Sequence, residues 1–212
     1  MRKEDVGQVN DIDRESFPTQ WPPPNYQHEL RNQLSHYIVV CDKDKPVELS
    51  DVTGSTNKNS GKLSSGWKYL FNRRYSRNSE ISPSERHHII GFSGFWVISG
   101  EAHISSIAVR ESYRQMGIGE LLLISLIEMA IELKARVVTL EVRATNNIAQ
   151  SLYTKCGFTQ VGVRKAYYID NREDGIMMTT EDITSAAFKA HLKQLKQANS
   201  RKTGIELYQV IK

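Results

Sequence analysis

The chain has 212 residues, of which 39% are hydrophobic and 25% charged, and its formal net charge is +4. These values exclude a disordered or fibrous chain and suit one globular domain with a sizeable core. Because Glu120 and Glu128 interrupt the longest apolar region and the first residues are charged, we expect no membrane span, no signal peptide and a cytoplasmic protein. Cys41 and Cys156 lie far apart in no metal-binding pattern, so we expect buried or half-buried thiols, no disulfide framework and no metal site.

The N-terminal part of the chain predicts two helices and a strand. Residues 5–17 predict a helix that ends at Pro18 and has one side marked at helical spacing by Val6, Val9, Ile12, Asp13 and Ser16. Residues 21–26 predict a stiff loop, because each of their three prolines fixes its own φ and restrains the residue before it. A short helix to about residue 34 and a strand over residues 37–41 are expected next.

The excess positive charge is concentrated in residues 43–86, where nine basic and five acidic residues leave a charge of +4. Residues 43–66 predict an inserted loop, because they hold too few large apolar side chains to offset the entropy of ordering. Helical spacing then predicts a basic amphipathic helix around Trp67, Leu70, Phe71 and Tyr75. Such a helix either faces RNA, an anionic membrane or an acidic partner, or packs on its own domain with its charges in water.

The second half of the chain alternates strand and helix patterns. Residues 88–98 and 102–109 predict two strands joined by a turn, and a helix over 117–134 followed by a strand over 137–142 predicts a parallel crossover. Thr145 or Asn146 is expected to cap a short helix that stops at Gly157, before strands at 158–163 and 176–178. A separate helix over 183–198 and a tail over 201–212 suggest a main domain at 1–180 and a C-terminal extension at 181–212.

A glycine-containing turn stands between a predicted strand and the longest predicted helix. It reads Arg114, Gln115, Met116, Gly117, Ile118 and Gly119. Glycine lets the backbone approach a ligand closely, and the first N–H groups of a helix have no internal partners and carry the positive end of its dipole. The spacing matches neither the dinucleotide fingerprint nor a nucleotide P-loop, so alone it indicates either an ordinary turn or a phosphate cradle.

A second pattern follows in residues 140–178. Its members are Glu141, Asn146, the pairs Leu152-Tyr153, Gly157-Phe158 and Tyr167-Tyr168, then Arg172-Glu173-Asp174 and Met177-Met178. Together with residues 114–119, this order resembles the GNAT acetyltransferases, and among them the RimI-like enzymes that acetylate the N-terminal alanine of a small-subunit ribosomal protein. The resemblance covers about residues 5–42 and 87–180. It implies an α/β fold with a mixed sheet, splayed central parallel strands and helices on both faces.

The same resemblance implies site residues and a co-substrate. Glu141 is the expected general base and Tyr153 the general acid, in a direct attack on acetyl-CoA that needs neither an acyl-enzyme nor a metal. The expected cofactor-binding positions are Ile107, Ala108, Val109, Arg114, Gln115, Met116, Gly117, Ile118, Gly119 and Asn146. The alternatives are that Glu141 only pairs with Arg143 or another cation, and that Tyr153 only fills the core.

Reference pKa values fit these roles. A phenol with a pKa near 10 keeps its proton at neutral pH and can give it to a thiolate whose conjugate acid has a pKa near 8.5. His103 is either a second proton-relay group or a histidine that lines its strand, and we favour the second. Cys156 is poorly placed to be a nucleophile.

The acceptor and partners are less sharply indicated. An α-amino group has a pKa about 2.6 units below that of lysine, which favours an N-terminal acceptor. We therefore expect a protein or peptide N-terminus, first of all a ribosomal protein, with ribosomal RNA contact through residues 43–86. A broader peptide N-terminal or lysine acetyltransferase, and a binding module tethered to RNA or ribosomes, are the alternatives.

Overall fold

The computed structural model describes residues 1–19, 24–46, 69–71 and 87–203. Its helices are α1 (Val6–Ser16), α2 (Tyr26–Glu29), α3 (Ile118–Glu132), α4 (Asn147–Lys155) and α5 (Ala186–Thr203), with 3-10 turns at Lys3–Asp5 and Glu111–Tyr113. Its strands are β1 (Ser35–Pro46), β2 (Tyr69–Phe71), β3 (His87–Ile98), β4 (Glu101–Val109), β5 (Val137–Arg143), β6 (Phe158–Tyr168) and β7 (Glu173–Thr180). No helix in these ranges is long and apolar enough to cross a membrane.

One mixed sheet carries the whole fold. Its seven strands lie in the order β2-β1-β3-β4-β5-β7-β6, and β4 and β5 are its parallel pair. These two strands pair at three positions, from Glu101 with Val137 to His103 with Thr139, although β4 continues to Val109 and β5 to Arg143. The expected splay between the central parallel strands is therefore confirmed.

Helices cover both faces of the sheet, as expected. On one face, α3 is buried along most of its length and packs against β1, β3 and β4. Three residues of α5, namely Phe188, Leu192 and Leu195, join the same core. On the other face, α1 buries Val6, Val9 and Ile12 in a second cluster that includes Tyr26 and Phe92. The C-terminal extension thus shares the core of the main domain.

A β-bulge in β4 reverses which face its side chains occupy. Gly94 pairs with Ser106 and Phe95 with Ile104, so Ser105 is an extra residue. Before the bulge, Ile104 faces the core under α3; after it, Ala108 faces the cluster under α1. Gly94 is needed opposite the bulge, because a Cβ there would overlap the ring of Tyr37. The bulge sits where β4 begins to leave β5, and it sets the orientation of the residues that line the splay.

The predicted helix around residues 67–75 was wrong for its central residues. Tyr69–Phe71 forms β2, which pairs antiparallel with β1 through Val40 and Phe71. The inserted loop was also predicted to start too early, because β1 continues to Pro46. An edge strand of this length offers unpaired backbone groups, and a short extended segment satisfies them. Residues 47–68 and 72–86 lie outside the described residues, and so do residues 20–23 of the proline-rich loop.

Most other elements agree with the sequence prediction, with shifts at their ends. The helix after the proline-rich loop is a single turn, Tyr26–Glu29, and does not reach residue 34. The last helix runs from Ala186 to Thr203, so the first residues of the predicted tail are helical, and residues 204–212 lie outside the described range. Cys41 and Cys156 are free and buried, as predicted.

Candidate active site

The loop before α3 has the geometry of an anion cradle. Gln115 and Gly117 have φ values of 64° and 87°, in the left-handed region. Where right-handed and left-handed backbone conformations alternate along a chain, successive N–H groups point toward one position. Gly117 is the N-cap of α3 and no side chain caps this helix end, so its first N–H groups are available to a ligand. The loop therefore fits a pyrophosphate, the group expected here from the sequence.

One side chain of the loop itself and two of α5 hold this loop in place. Arg114 Nε donates to the carbonyl of Val109 at 3.2 Å, which folds the loop back on β4. Asn199 of α5 donates from Nδ2 to the carbonyl of Gly117 at 3.0 Å. Thr203 packs so closely on Gly117 that a Cβ added there would lie 2.9 Å from its Cγ2. The end of α5 thus supports the start of α3, a contribution that the sequence did not predict.

The exposed backbone edge of β4 suits an extended amide-bearing ligand. Ile107, Ala108 and Val109 pair with β3 on one edge. Toward β5, the last described pair of β4 is His103, so the part of the chain that the structure describes supplies no strand on that edge. A ligand with amide groups could add there as a further strand, which is how the pantetheine arm of CoA would be held.

Glu141 lies near the end of β5, almost buried between Arg164 and His103. Its side chain is 8% exposed. One carboxylate oxygen, Oε2, lies 3.2 Å from His103 Nε2, and the other, Oε1, lies 3.2 Å from a guanidinium nitrogen of Arg164. The partner considered from the sequence, Arg143, instead pairs with Asp170 at 2.8 Å and Glu173 at 3.1 Å. Glu141 is thus a carboxylate aligned by both of its oxygens.

His103 is a closer neighbour of Glu141 than the sequence suggested. Its Nδ1 lies 3.0 Å from Thr139 Oγ1, and Thr139 in turn donates to Glu101 at 2.7 Å. The ring of Trp96 packs against the imidazole in a tilted arrangement, with 4.7 Å between ring centroids. His103 lies in β4 and also contacts the expected base.

Tyr153 is a half-buried phenol on α4. Its ring lies 5.8 Å from that of Phe158, centroid to centroid. Burial raises the pKa of Tyr153 well above its usual value, and the neighbouring Tyr168 and Cys156 add to this rise. The phenol therefore holds its proton at neutral pH, as a general acid must. In the described ranges, the structure shows no direct contact between Tyr153 and Glu141.

Tyr168 interacts electrostatically with both Tyr153 and Glu141. Burial raises the pKa of Tyr168 to about 12, against the opposing effect of Arg143, and the charge of Glu141 contributes to the rise. The guanidinium of Arg143 lies 4.0 Å from the centre of the Tyr168 ring.

Glu173 fixes the segment between β5 and α4. It accepts hydrogen bonds from the backbone N–H of Thr145 at 2.8 Å and from the Thr145 hydroxyl at 2.6 Å, and it pairs with Arg143. These hydrogen bonds, the Thr145 hydroxyl first, lower the pKa of Glu173 to about 2. Asn146, which follows Thr145, caps α4 by accepting a hydrogen bond from the N–H of Ala149 at 3.1 Å, as predicted. Its expected contact with the cofactor stays a prediction.

Two further observations bear on chemistry. Burial raises the pKa of the Cys156 thiol to about 12, which agrees with a direct transfer that does not use it. Within the described part of the chain, no group of three or more His, Cys, Asp or Glu residues could hold a metal ion.

The sequence missed Arg164, Thr139 and Trp96 as neighbours of the site, and it gave Glu173 no structural role. Only the Arg172-Glu173-Asp174 motif gave a signal for Glu173. No local pattern marks the other three, because the contact between Arg164 and Glu141 joins separate strands of the sheet.

Comparison with known proteins agrees with this geometry. Residues 6–158 match the Acetyltransferase (GNAT) family. The chain is 32% identical over 179 residues to a putative [ribosomal protein bS18]-alanine N-acetyltransferase of Bacillus subtilis (strain 168), with 84% of this chain and 90% of that protein aligned.

Solved structures share the fold. The ribosomal-protein-S18-alanine N-acetyltransferase from Escherichia coli superposes with a TM-score of 0.58 at 20% identity, covering 88% of this chain and 93% of that one. Arabidopsis thaliana NAA60, in complex with a bisubstrate analogue, superposes with a TM-score of 0.62 at 17% identity, covering 85% and 94%. At these identities the likeness concerns the fold.

Proposed function

On the premise that the chain belongs to the GNAT family and is an acetyl-CoA-dependent N-acetyltransferase, we propose that its acceptor is a protein N-terminal α-amino group. The first candidate is the N-terminal alanine of the small-subunit ribosomal protein bS18. The observation that carries this proposal is the 32% identity to a relative named for that reaction, over 84% of this chain and 90% of the relative.

The buried carboxylate at the end of β5 supports an α-amino acceptor. An α-amino group has a pKa near 7.8 and a lysine one near 10.4, a difference of about 3.5 kcal/mol in the cost of deprotonation. Glu141 is held by Arg164 and His103, and a carboxylate is a modest base. A modest base suffices for an amine that is already partly deprotonated at neutral pH.

In this proposal the chain's own groups move two protons. When bound, acetyl-CoA supplies an activated thioester carbonyl, which the acceptor nitrogen attacks directly. Glu141 accepts the proton that the amine loses, and Tyr153 donates its phenolic proton to the departing thiolate. A C–N bond forms and a C–S bond breaks, so no covalent bond to the chain is needed.

The cofactor would lie along residues that the fold leaves accessible. The backbone of Ile107, Ala108 and Val109 would pair with the pantetheine arm, and the amides of residues 114–119 would hold the pyrophosphate. Left-handed φ values at Gln115 and Gly117 and the uncapped start of α3 support the second assignment. The open edge of β4 supports the first.

The peptide acceptor can be tested with a matched pair of peptides. One peptide carries the bS18 N-terminal sequence with a free amine; the other has the same sequence with a blocked N-terminus and an internal lysine. Mass spectrometry after incubation with acetyl-CoA should find acetyl on the α-nitrogen of the first and none on the second. Acetylation of the blocked peptide on lysine would favour the broader lysine acetyltransferase.

A contact with ribosomal RNA through residues 43–86 rests on charge alone. This segment carries the whole excess charge of the chain, +4, and is separate in sequence from every proposed catalytic residue. Basic side chains that contact phosphates release counterions, so such a contact would weaken steeply with salt. We include it as a docking function that leaves the chemical step unchanged.

A further inference from the structure

Four side chains form a continuous line of contacts from the buried base to the surface. Glu141 Oε2 lies 3.2 Å from His103 Nε2, and Nδ1 of the same imidazole lies 3.0 Å from Thr139 Oγ1. Thr139 Oγ1 lies 2.7 Å from Glu101 Oε1. Glu141 is nearly buried and Glu101 is exposed, so the line joins the proposed base to solvent.

The register of the parallel strands produces this line. His103 pairs with Thr139 at the last position before β4 and β5 separate. Residues two apart on a strand share a face, so Glu101 lies on the His103 side of β4 and Glu141 on the Thr139 side of β5. The ring of Trp96 packs against the imidazole at a tilt. The four polar groups are therefore held by rigid elements of the sheet.

Hydrogen-bond accounting fixes where the protons lie. An ionised carboxylate only accepts, so the single proton of the Thr139 hydroxyl is donated to Glu101. Thr139 Oγ1 must then accept from Nδ1–H of His103, which assigns the tautomer from the network. In the neutral imidazole Nε2 is then the nitrogen with a lone pair, and it faces Glu141. That nitrogen is placed to take a proton from Glu141.

We propose that His103, Thr139 and Glu101 carry away the proton that Glu141 removes from the acceptor amine, an inference that rests on Glu141 being the base. The O–H bond formed on Glu141 breaks as an N–H bond forms at His103 Nε2. The Nδ1 proton passes to Thr139 Oγ1 while the Thr139 proton passes to Glu101, which releases it to water. Each turnover thus exports one proton and restores Glu141. His103 is left with its proton on Nε2, and because its side chain is 20% exposed, exchange with water returns it to the Nδ1–H tautomer before the next turnover.

The relay can be separated from a structural role by variants that differ in one hydroxyl. Thr139→Val removes the hydroxyl at nearly constant shape, and Thr139→Ser keeps it. Thr179→Val is the matched control, because Thr179 is the cross-strand partner of Thr139 on β7 and its hydroxyl bonds only a backbone carbonyl. Glu101→Gln keeps an oxygen acceptor but cannot take the proton at neutral pH, and Glu181→Gln controls for the loss of one exposed charge.

Peptide turnover should be measured in dilute and in concentrated buffer, with melting temperatures as a check on folding. We expect Thr139→Val and Glu101→Gln to lose about tenfold in kcat in dilute buffer, with KM unchanged. This loss is smaller than the factor of about 10²–10⁴ that a general base contributes, because Glu141 is still present. Concentrated imidazole should restore most of this loss by accepting the proton directly. Thr139→Ser, which keeps the hydroxyl, should retain most of the wild-type kcat, and the controls Thr179→Val and Glu181→Gln should match the wild type.

These measurements distinguish a failure of the proposed relay from a failure of the assignment of Glu141 as the base. Wild-type kcat for folded Thr139→Val in dilute buffer, or a loss that imidazole does not restore, would overturn the relay. If Glu141→Gln alone is impaired, the base stands and the relay falls. If Glu141→Gln turns over normally while Thr139→Val is impaired and rescued by buffer, the proton export stands but Glu141 is not the base.

Discussion

Glu141 shows how one residue can be both tightly held and chemically useful. A buried carboxylate pays a desolvation penalty unless charges or hydrogen bonds compensate it. Here Arg164 and His103 approach separate oxygens. The guanidinium compensates the charge, and the two contacts leave the carboxylate in one orientation. Such alignment matters for catalysis, because proton transfer requires the base to lie within hydrogen-bond reach of the amine.

Replacing Glu141 with glutamine removes the base and keeps the shape. We expect kcat for an N-terminal peptide to fall by about 10²–10⁴, with the Kd for acetyl-CoA within about twofold of wild type. Raising the pH through the amine pKa near 7.8 should recover part of the rate, because the free amine then forms in solution. Tyr153→Phe should also lower kcat but should not be recovered at high pH; equal recovery of both variants would refute the division into base and acid.

Glu173 gives a pH-dependent contribution to stability. Its pKa in the folded protein is about 2, below the ordinary value of 4.5, so the ionised form is favoured by folding. The contribution is complete above pH 4.5 and is lost as the pH falls toward 2. Glu173→Gln should therefore lower the melting temperature at pH 7, and the difference from wild type should shrink at pH 3. A difference that stays constant over this range would show that ionisation of Glu173 is not involved.

At the scale of elements, the two glycines of the cradle are not equivalent. Gly117 has a φ of 87° and no room for a Cβ beside Thr203, so any substitution there also strains the backbone. At Gly119 a Cβ would make an ordinary contact with Leu152 at 3.6 Å. Gly119 is therefore the better position at which to test the ligand rather than the fold.

Gly119→Glu should abolish acetyl-CoA binding in a folded protein, because it places bulk and negative charge where the pyrophosphate would approach. Gly119→Ala is the matched control and should retain binding within a few-fold. Isothermal titration calorimetry with acetyl-CoA measures both variants, and a melting curve confirms folding. If the Gly119→Glu variant binds acetyl-CoA with wild-type affinity, the pyrophosphate does not bind at this loop.

Elements with strong local patterns were predictable from the sequence. The core helix α3 and the hairpin β3–β4 follow from apolar periodicity and from the turn at Ser99-Gly100. The predicted strands end where the observed ones do and start one residue late, and the predicted helix is one or two residues too long at its ends. β2 was not predictable, because its three residues are extended only through pairing with the edge of β1. The role of α5 in holding Gly117 also depends on tertiary packing, which leaves no local pattern.

The individual residues of the candidate site were predictable from the sequence, but the contacts between them were not. Glu141 and Tyr153 came from motif resemblance, and their roles stay predictions. The contact between His103 and Glu141 depends on the β4–β5 register, which joins residues 38 positions apart. A shift of one residue would turn His103 to the opposite face and break the line to Glu101.

For the molecule as a whole, the basic segment should affect docking and not chemistry. Replacing residues 47–66 with a short Gly/Ser linker retains all described residues of β1 and β2, and Arg73, Arg74 and Arg77 can be neutralised in the same variant. We expect unchanged turnover of a short peptide and weaker, less salt-dependent association with ribosomal subunits in sedimentation assays at low salt. Unchanged association of the folded variant would show that these charges only face water.

The central claim is that this enzyme acetylates a protein α-amino group with Glu141 as base. The most direct test is peptide mapping by mass spectrometry of intact, unacetylated bS18 after incubation with acetyl-CoA and either wild type or Glu141→Gln. The account predicts one acetyl group on the N-terminal alanine with the wild type, and a rate at least about a hundredfold lower with the variant at neutral pH. Acetyl groups on lysine side chains, or equal N-terminal acetylation by both proteins, would contradict it.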